Sequence, residues 1–247
     1  MSGVRNPRRP TFRWEAVDGA TRYELQVDDG CTTPGFPSCK FPNPEISVTL
    51  TAPMFTPASD LPVSTTPPVG RRYYWRVRAC DAVNCSSWSL IRYVDVARLD
   101  RDFNADGYAD VVVGAPLQSN GAPGEGNAFI YYGSASGLQS SPSQVLDNPA
   151  NQAVAQFGWA VASAGDLNGD GYADLVVGAP GQSGDAAAEG GAFLYYGSAS
   201  GLPGNPSLRM ESPTNQERAQ FGGSVTSAGD VNGDGYADLL IGADRHS

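Results

Sequence analysis

Two residue types on which much enzyme chemistry relies are almost missing. The chain holds one histidine, His246, and one lysine, Lys40. A Ser–His–Asp triad or a zinc-bound water therefore has neither base nor enough ligands. No Gly-x-x-x-x-Gly-Lys cradle for phosphate occurs. No Gly-x-Ser-x-Gly elbow occurs either. Gly133-Ser134-Ala135-Ser136-Gly137 places alanine where the nucleophile belongs, and its recurrence at 197–201 marks a turn. Long apolar runs are absent too: none approaches the roughly 20 residues of a membrane span. The N-terminus has no hydrophobic core of a secretory signal. Helical periodicity of useful length is missing beyond Leu99, so the reading is all-β and non-enzymatic.

Charge is present but unevenly spread. Residues 1–101 carry 13 Lys+Arg against 10 Asp+Glu, whereas residues 102–247 carry 3 against 16. Nine of those 16 acids recur at fixed positions in three short loops. Such acidity argues against nucleic acid or an anionic membrane as the partner of the second half. The four cysteines all fall in the first half. Local pairs Cys31–Cys39 and Cys80–Cys85 are the simplest of three connectivities, with a zinc site or free thiols as alternatives. Disulfides would fit an extracellular setting, so the chain reads as a secreted or cell-surface segment of a longer protein.

The first half, residues 1–98, alternates as strands do. Phe12 and Trp14 precede a turn at Asp18-Gly19. Tyr23, Leu25 and Val27 then share a face, as do Ile46, Val48 and Leu50. Tyr73, Trp75, Val77 and Ala79 form the best strand, and Trp88 to Val96 the last. Arg71, Arg72, Arg76 and Arg78 read as a solvated face. The Trp14 position, Tyr-x-Leu-x-Val and Tyr-x-x-x-Val-x-Ala together resemble a fibronectin type III β-sandwich. That resemblance places Tyr73 at the family's corner tyrosine.

The second half, residues 99–247, repeats with a 64-residue period. Asp-x-Asn-x-Asp-Gly-Tyr-Ala-Asp begins at Asp102, Asp166 and Asp230. Oxygen-bearing side chains at alternate positions, with glycine at the sixth, suit a hard divalent cation held by a short loop. The candidate ligands are Asp102, Asn104, Asp106 and Asp110, then Asp166, Asn168, Asp170 and Asp174, then Asp230, Asn232, Asp234 and Asp238. Backbone carbonyls of Tyr108, Tyr172 and Tyr236 complete each set, so about three Ca²⁺ ions are expected. Metal-free Asx turns are the rival reading, yet three carboxylates within about 4–6 Å repel by something like 1–4 kcal/mol per pair. An EF-hand is excluded because Val113, Val177 and Ile241 stand where its twelfth-position acid belongs.

Around each loop the rest of the period recurs. Ala-Gln-Phe-Gly stands at 155–158 and 219–222, Gly-Ala-Pro at 114–116 and 178–180, and Ala-Phe-[Ile/Leu]-Tyr-Tyr-Gly at 128–133 and 192–197. Strands are expected around 157–163, 173–178, 191–196 and 207–210 in the second copy, four per unit. Phe-Gly, the Asp-rich loop and Gly-Ala-Pro resemble FG-GAP repeats of the integrin α propeller. The resemblance implies an incomplete propeller of about 2.3 blades. It also implies calcium between the first two strands of each blade and a role in adhesion or recognition of a protein or glycan. Further blades from the same longer chain or another chain would complete it. An accessory region of a secreted hydrolase is the alternative. The first copy departs from the pattern: Tyr93-Val94 stand in place of Phe-Gly, and also read as the final sandwich strand.

Overall fold

The computed structural model describes residues 7–31, 39–184, 186–214 and 216–244. It is all-β, with no helix among those residues. The chain parts into two compact units between Arg98 and Leu99, apart from residues 232–235, which group with the first.

In the first unit, β1 (Phe12–Arg13) pairs with β4 (Met54–Phe55). A four-stranded antiparallel sheet runs in the order β3 (Ile46–Leu50), β2 (Arg22–Asp28), β5 (Arg71–Cys80), β6 (Arg92–Val96). Strand alternation sends Tyr23, Leu25, Val27, Tyr73 and Val77 into one core with Phe12, Leu61 and Val96. Tyr73 is fully buried, and its hydroxyl donates to the Pro62 carbonyl. Both local disulfides form, Cys31–Cys39 and Cys80–Cys85, and no cysteine is free.

The arginines do not form a solvated row. Arg72, Arg76 and Arg78 lie on the face opposite Tyr73, where the chain after β5 folds back along them. Ser86 and Ser89 donate their N–H groups to Ala79 and Val77 carbonyls at 2.8 Å, and their hydroxyls accept the N–H groups of the same two residues. This lays Trp88 over the strand. The Arg76 and Arg78 guanidinium carbons stand 4.5 and 4.6 Å from its ring centroid. Arg78 also pairs with Glu24 at 2.6 Å and Arg72 with Asp95 at 2.9 Å. Arg71 points to the other side and pairs with Asp29.

The second unit is built of successive antiparallel sheets. The second repeat is complete, with β10 (Ala160–Gly165), β11 (Asp174–Ala179), β12 (Gly191–Tyr195) and β13 (Leu208–Glu211) in sequential order. These strands overlap the four expected positions. The first repeat supplies three strands, β7 (Val111–Ala115), β8 (Asn127–Tyr131) and β9 (Gln144–Asp147). Its missing fourth is accounted for, because Tyr93 and Val94 belong to β6 and pair with β5. The third repeat supplies β14 (Phe221–Gly229) and β15 (Asp238–Ala243).

Neighbouring repeats pack face to face, and the two halves of the repeated motif meet there. The Phe157 N–H donates to the Glu125 carbonyl of the preceding repeat at 2.8 Å, and Phe221 does the same to Glu189. Phe157 is fully buried, edge-on to Phe193 at 5.4 Å, in a core shared by Ile130, Leu146, Leu175 and Tyr195. Gly158 has φ +84°, and a Cβ on Gly114 would lie 1.9 Å from its carbonyl oxygen. The glycines are there because two backbones touch. A second core joins Val176, Ala192 and Leu194 to Phe221, Val225, Leu239 and Ile241. β11 is thus buried on both faces. The matching residues Val111 and Val113 of β7 are 39% and 46% exposed, and Leu240 of β15 is 61% exposed.

Candidate metal-binding loops

The second and third Asp-rich loops join the first two strands of their repeats, β10 to β11 and β14 to β15, while the first leads into β7; side-chain-to-backbone hydrogen bonds shape them. In the first, Asp102 Oδ1 and Asn104 Oδ1 both accept the Asp106 N–H, at 3.1 and 3.2 Å. Asp102 Oδ2 accepts the Gly107 N–H at 2.8 Å, and Asp106 Oδ1 accepts that of Tyr108 at 2.9 Å. Asp, Asn and Asp are used because each short side chain reaches a main-chain amide two to five residues on. The second loop repeats the pattern: Asp166 accepts from Gly169 and Gly171, Asn168 from Asp170, and Asp170 from Tyr172, all at 2.7–3.0 Å. In the third, the Asp234 N–H donates to Asn232 Oδ1 at 2.9 Å. Glycine at the sixth position takes φ +92° in Gly107, +94° in Gly171 and +95° in Gly235. That is the sharp turn the sequence implied.

The ninth-position aspartate holds the loop to the rest of its blade. Asp110 accepts the Phe103 N–H at 2.7 Å with Oδ2 and the Gly133 N–H at 2.9 Å with Oδ1. Asp174 accepts from Leu167 and Gly197 in the same way, at 2.8 and 3.0 Å, and Asp238 from Val231 at 2.7 Å. Gly133 and Gly197 open the Gly-Ser-Ala-Ser-Gly turns. Those turns are therefore tied to the Asp-rich loops, a link with no local signal in the sequence.

Burial disfavours the charged form of three of the loop aspartates. It pushes Asp102 up to about 6 and Asp110 and Asp174 up to about 7, while the main-chain amides pull each partway back. The repeated set, all oxygen and with three carboxylates to one amide among its side chains, fits a hard divalent cation such as Ca²⁺ rather than a thiophilic metal. Among the described residues, the groups that bring three acid or cysteine ligand atoms within 4.8 Å of one another lie outside these loops. Glu24, Cys80 and Cys85 is one, but its sulfurs are disulfide-bonded. Asp28, Asp29 and Glu45 is the other, and Arg71 occupies Asp29 there.

A further acid in each of the first two repeats escaped the sequence reading. Glu125 and Glu189 are fully buried, immediately before Gly126 and Gly190. Glu125 Oε1 accepts the N–H groups of Asn120 and Gly121, and main-chain donors hold its carboxyl below the usual range despite burial. It closes the loop between β7 and β8. Its recurrence 64 residues later was the available signal.

Residues 99–131, 157–195 and 221–247 match the profile of the FG-GAP repeat family. Integrin alpha-PS3 of Drosophila melanogaster is 36% identical over 155 residues, covering 61% of this chain and 13% of that protein. Integrin alpha-4 of Xenopus laevis is 35% identical over 152 residues, covering 61% and 14%, and integrin alpha-7 of Homo sapiens 34% over 144, covering 58% and 11%. The chain thus spans only a small part of the length of these relatives. Among the described residues, no helix is long and apolar enough to cross a membrane. Beyond residue 98, this chain carries FG-GAP repeats and is similar to a stretch of integrin α chains.

Proposed function

We propose that this chain is a non-enzymatic, calcium-stabilised recognition module that works outside the cell, in adhesion or in binding a protein or glycan. The three Asp-rich loops carry that reading, with one hydrogen-bond pattern in the first two and its core kept in the third. Asp102, Asn104 and Asp106, with the carbonyl of Tyr108, would hold one ion, and Asp110 would fix the loop while offering its remaining lone pairs. The two other loops would use the matching residues. Bound there, Ca²⁺ supplies the positive charge that the buried carboxylates lack; it is a structural clip. The similarity to integrin α chains and the two disulfides favour a cell-surface or secreted setting over an accessory role in a hydrolase.

Two finer readings accompany it. The residues up to 98 are fibronectin type III-like, which the β3-β2-β5-β6 order and the Tyr73–Pro62 bond support. Further blades, from a longer form of this chain or from another chain, would cover Val111, Val113 and Leu240, as neighbours cover their counterparts on β11. Calorimetric titration of Ca²⁺ into chelator-treated protein tests the central reading. About three equivalents with a raised melting temperature are expected. Neither heat nor a thermal shift would remove it.

A further inference from the structure

Each loop is also hydrogen-bonded to the next. The Asp102 carbonyl accepts the Ala173 N–H at 3.2 Å, and the Asp166 carbonyl accepts the Ala237 N–H at 3.0 Å. The same relation therefore runs from first loop to second and from second to third. The Phe103 carbonyl further accepts the Ser198 N–H at 3.1 Å, from the turn that Asp174 holds through Gly197. A Cβ on Gly165 would lie 2.7 Å from Ala237 Cβ, and one on Gly169 would lie 2.7 Å from Cε1 of Tyr236. Loop two is in van der Waals register with loop three.

The acceptor in each bond is the carbonyl of a candidate ligand residue, and the donor is the residue just before the ninth-position aspartate of the next loop. Asp102 offers its side chain to its own loop and its carbonyl to the second. Asp166 does the same for the second and third. Any ordering of the first loop by a cation fixes the acceptor to which the second loop is anchored. The entropy of ordering the second is then partly met before its own ion arrives.

We propose that the three loops take up Ca²⁺ with positive cooperativity, each passing its order to the next through the Asp102–Ala173 and Asp166–Ala237 hydrogen bonds. This rests on the calcium reading above and adds to it the coupling between sites. Couplings between sites in proteins are typically about 5- to 150-fold in affinity. The effect is strongest between adjacent loops, which these bonds join, and weaker between the first and third.

The test is calcium titration of the full chain by calorimetry and equilibrium dialysis, for the wild type and for Asp106→Ala and Asp170→Ala. The wild-type isotherm should be steeper than that of independent sites. Asp106→Ala should remove one equivalent and weaken the second loop about fivefold or more. Asp170→Ala should remove one equivalent and weaken both remaining loops. Variants that lose one ion and bind the others with wild-type affinity would overturn the coupling while leaving the calcium sites in place. Should a variant fail to fold, the wild-type isotherm decides: a curve no steeper than independent binding overturns the proposal. No calcium uptake at all would overturn both readings.

Discussion

Gly178 and Gly222 touch through their backbones: a Cβ on Gly178 would lie 2.0 Å from the Gly222 carbonyl oxygen. One glycine comes from the Gly-Ala-Pro of the second repeat, the other from the Phe-Gly of the third, where φ is +86°. Gly178→Ala should therefore cost about 3 kcal/mol, because main chain rather than a flexible side chain must move. Gly204→Ala is the control, since nothing lies within 4 Å of its added methyl. Thermal unfolding should show a clear loss for the first and almost none for the second.

Asp110 and Asp106 belong to the same loop but do different work. Asp110 is buried and receives two main-chain amides, whereas Asp106 is half-buried. Asp110→Ala should destabilise the protein by about 2–4 kcal/mol even in excess chelator, by orphaning the Phe103 and Gly133 N–H groups. Asp106→Ala should cost most of its stability only when calcium is present. Denaturation with and without chelator separates the two. Equal losses in both conditions for both variants would contradict this division.

Calcium removal should act on one part of the thermal profile. With free Ca²⁺ about 100 times a loop's dissociation constant, each occupied loop adds about 2.7 kcal/mol. Adding chelator should lower the transition reported by the exposed Trp159 of the repeat half. The transition of the disulfide-bonded first half should hold steady. Fluorescence of a variant whose only tryptophan is Trp159 follows the former.

In the first half, Trp88 is expected to matter through its ring. Arg76 and Arg78 both stack on it, with Phe41 on Arg76 at 4.4 Å. Trp88→Leu should cost about 1–2 kcal/mol by chemical denaturation, and Trp88→Phe less. Tyr73→Phe removes only the hydroxyl that reaches Pro62, and should cost about 1 kcal/mol.

Much of this was legible in the residues alone, for identifiable reasons. The Asp-rich loops and the second-repeat strands are local: glycine at a positive φ, Asx reach and two-residue alternation are written in a few consecutive letters. The arginine face was not. Alternation shows that Arg76 and Arg78 leave the core, but only the fold-back through Ser86 and Ser89 shows that Trp88 covers them. Glu125 was passed over because its partners are main-chain amides, which every residue carries. Tyr93 and Val94 could have closed either half, and pairing partners rather than propensity assigned them to β6.

The contrast between β11 and its counterparts β7 and β15 has an evolutionary corollary. Nearly the same apolar tripeptide is dry on both sides in an inner position and wet on one side at a flank. Substitution tolerance should therefore be graded by place in the series rather than by letter. Adding a unit turns two oily flanks into a single sealed seam, so the array can lengthen without growing stickier.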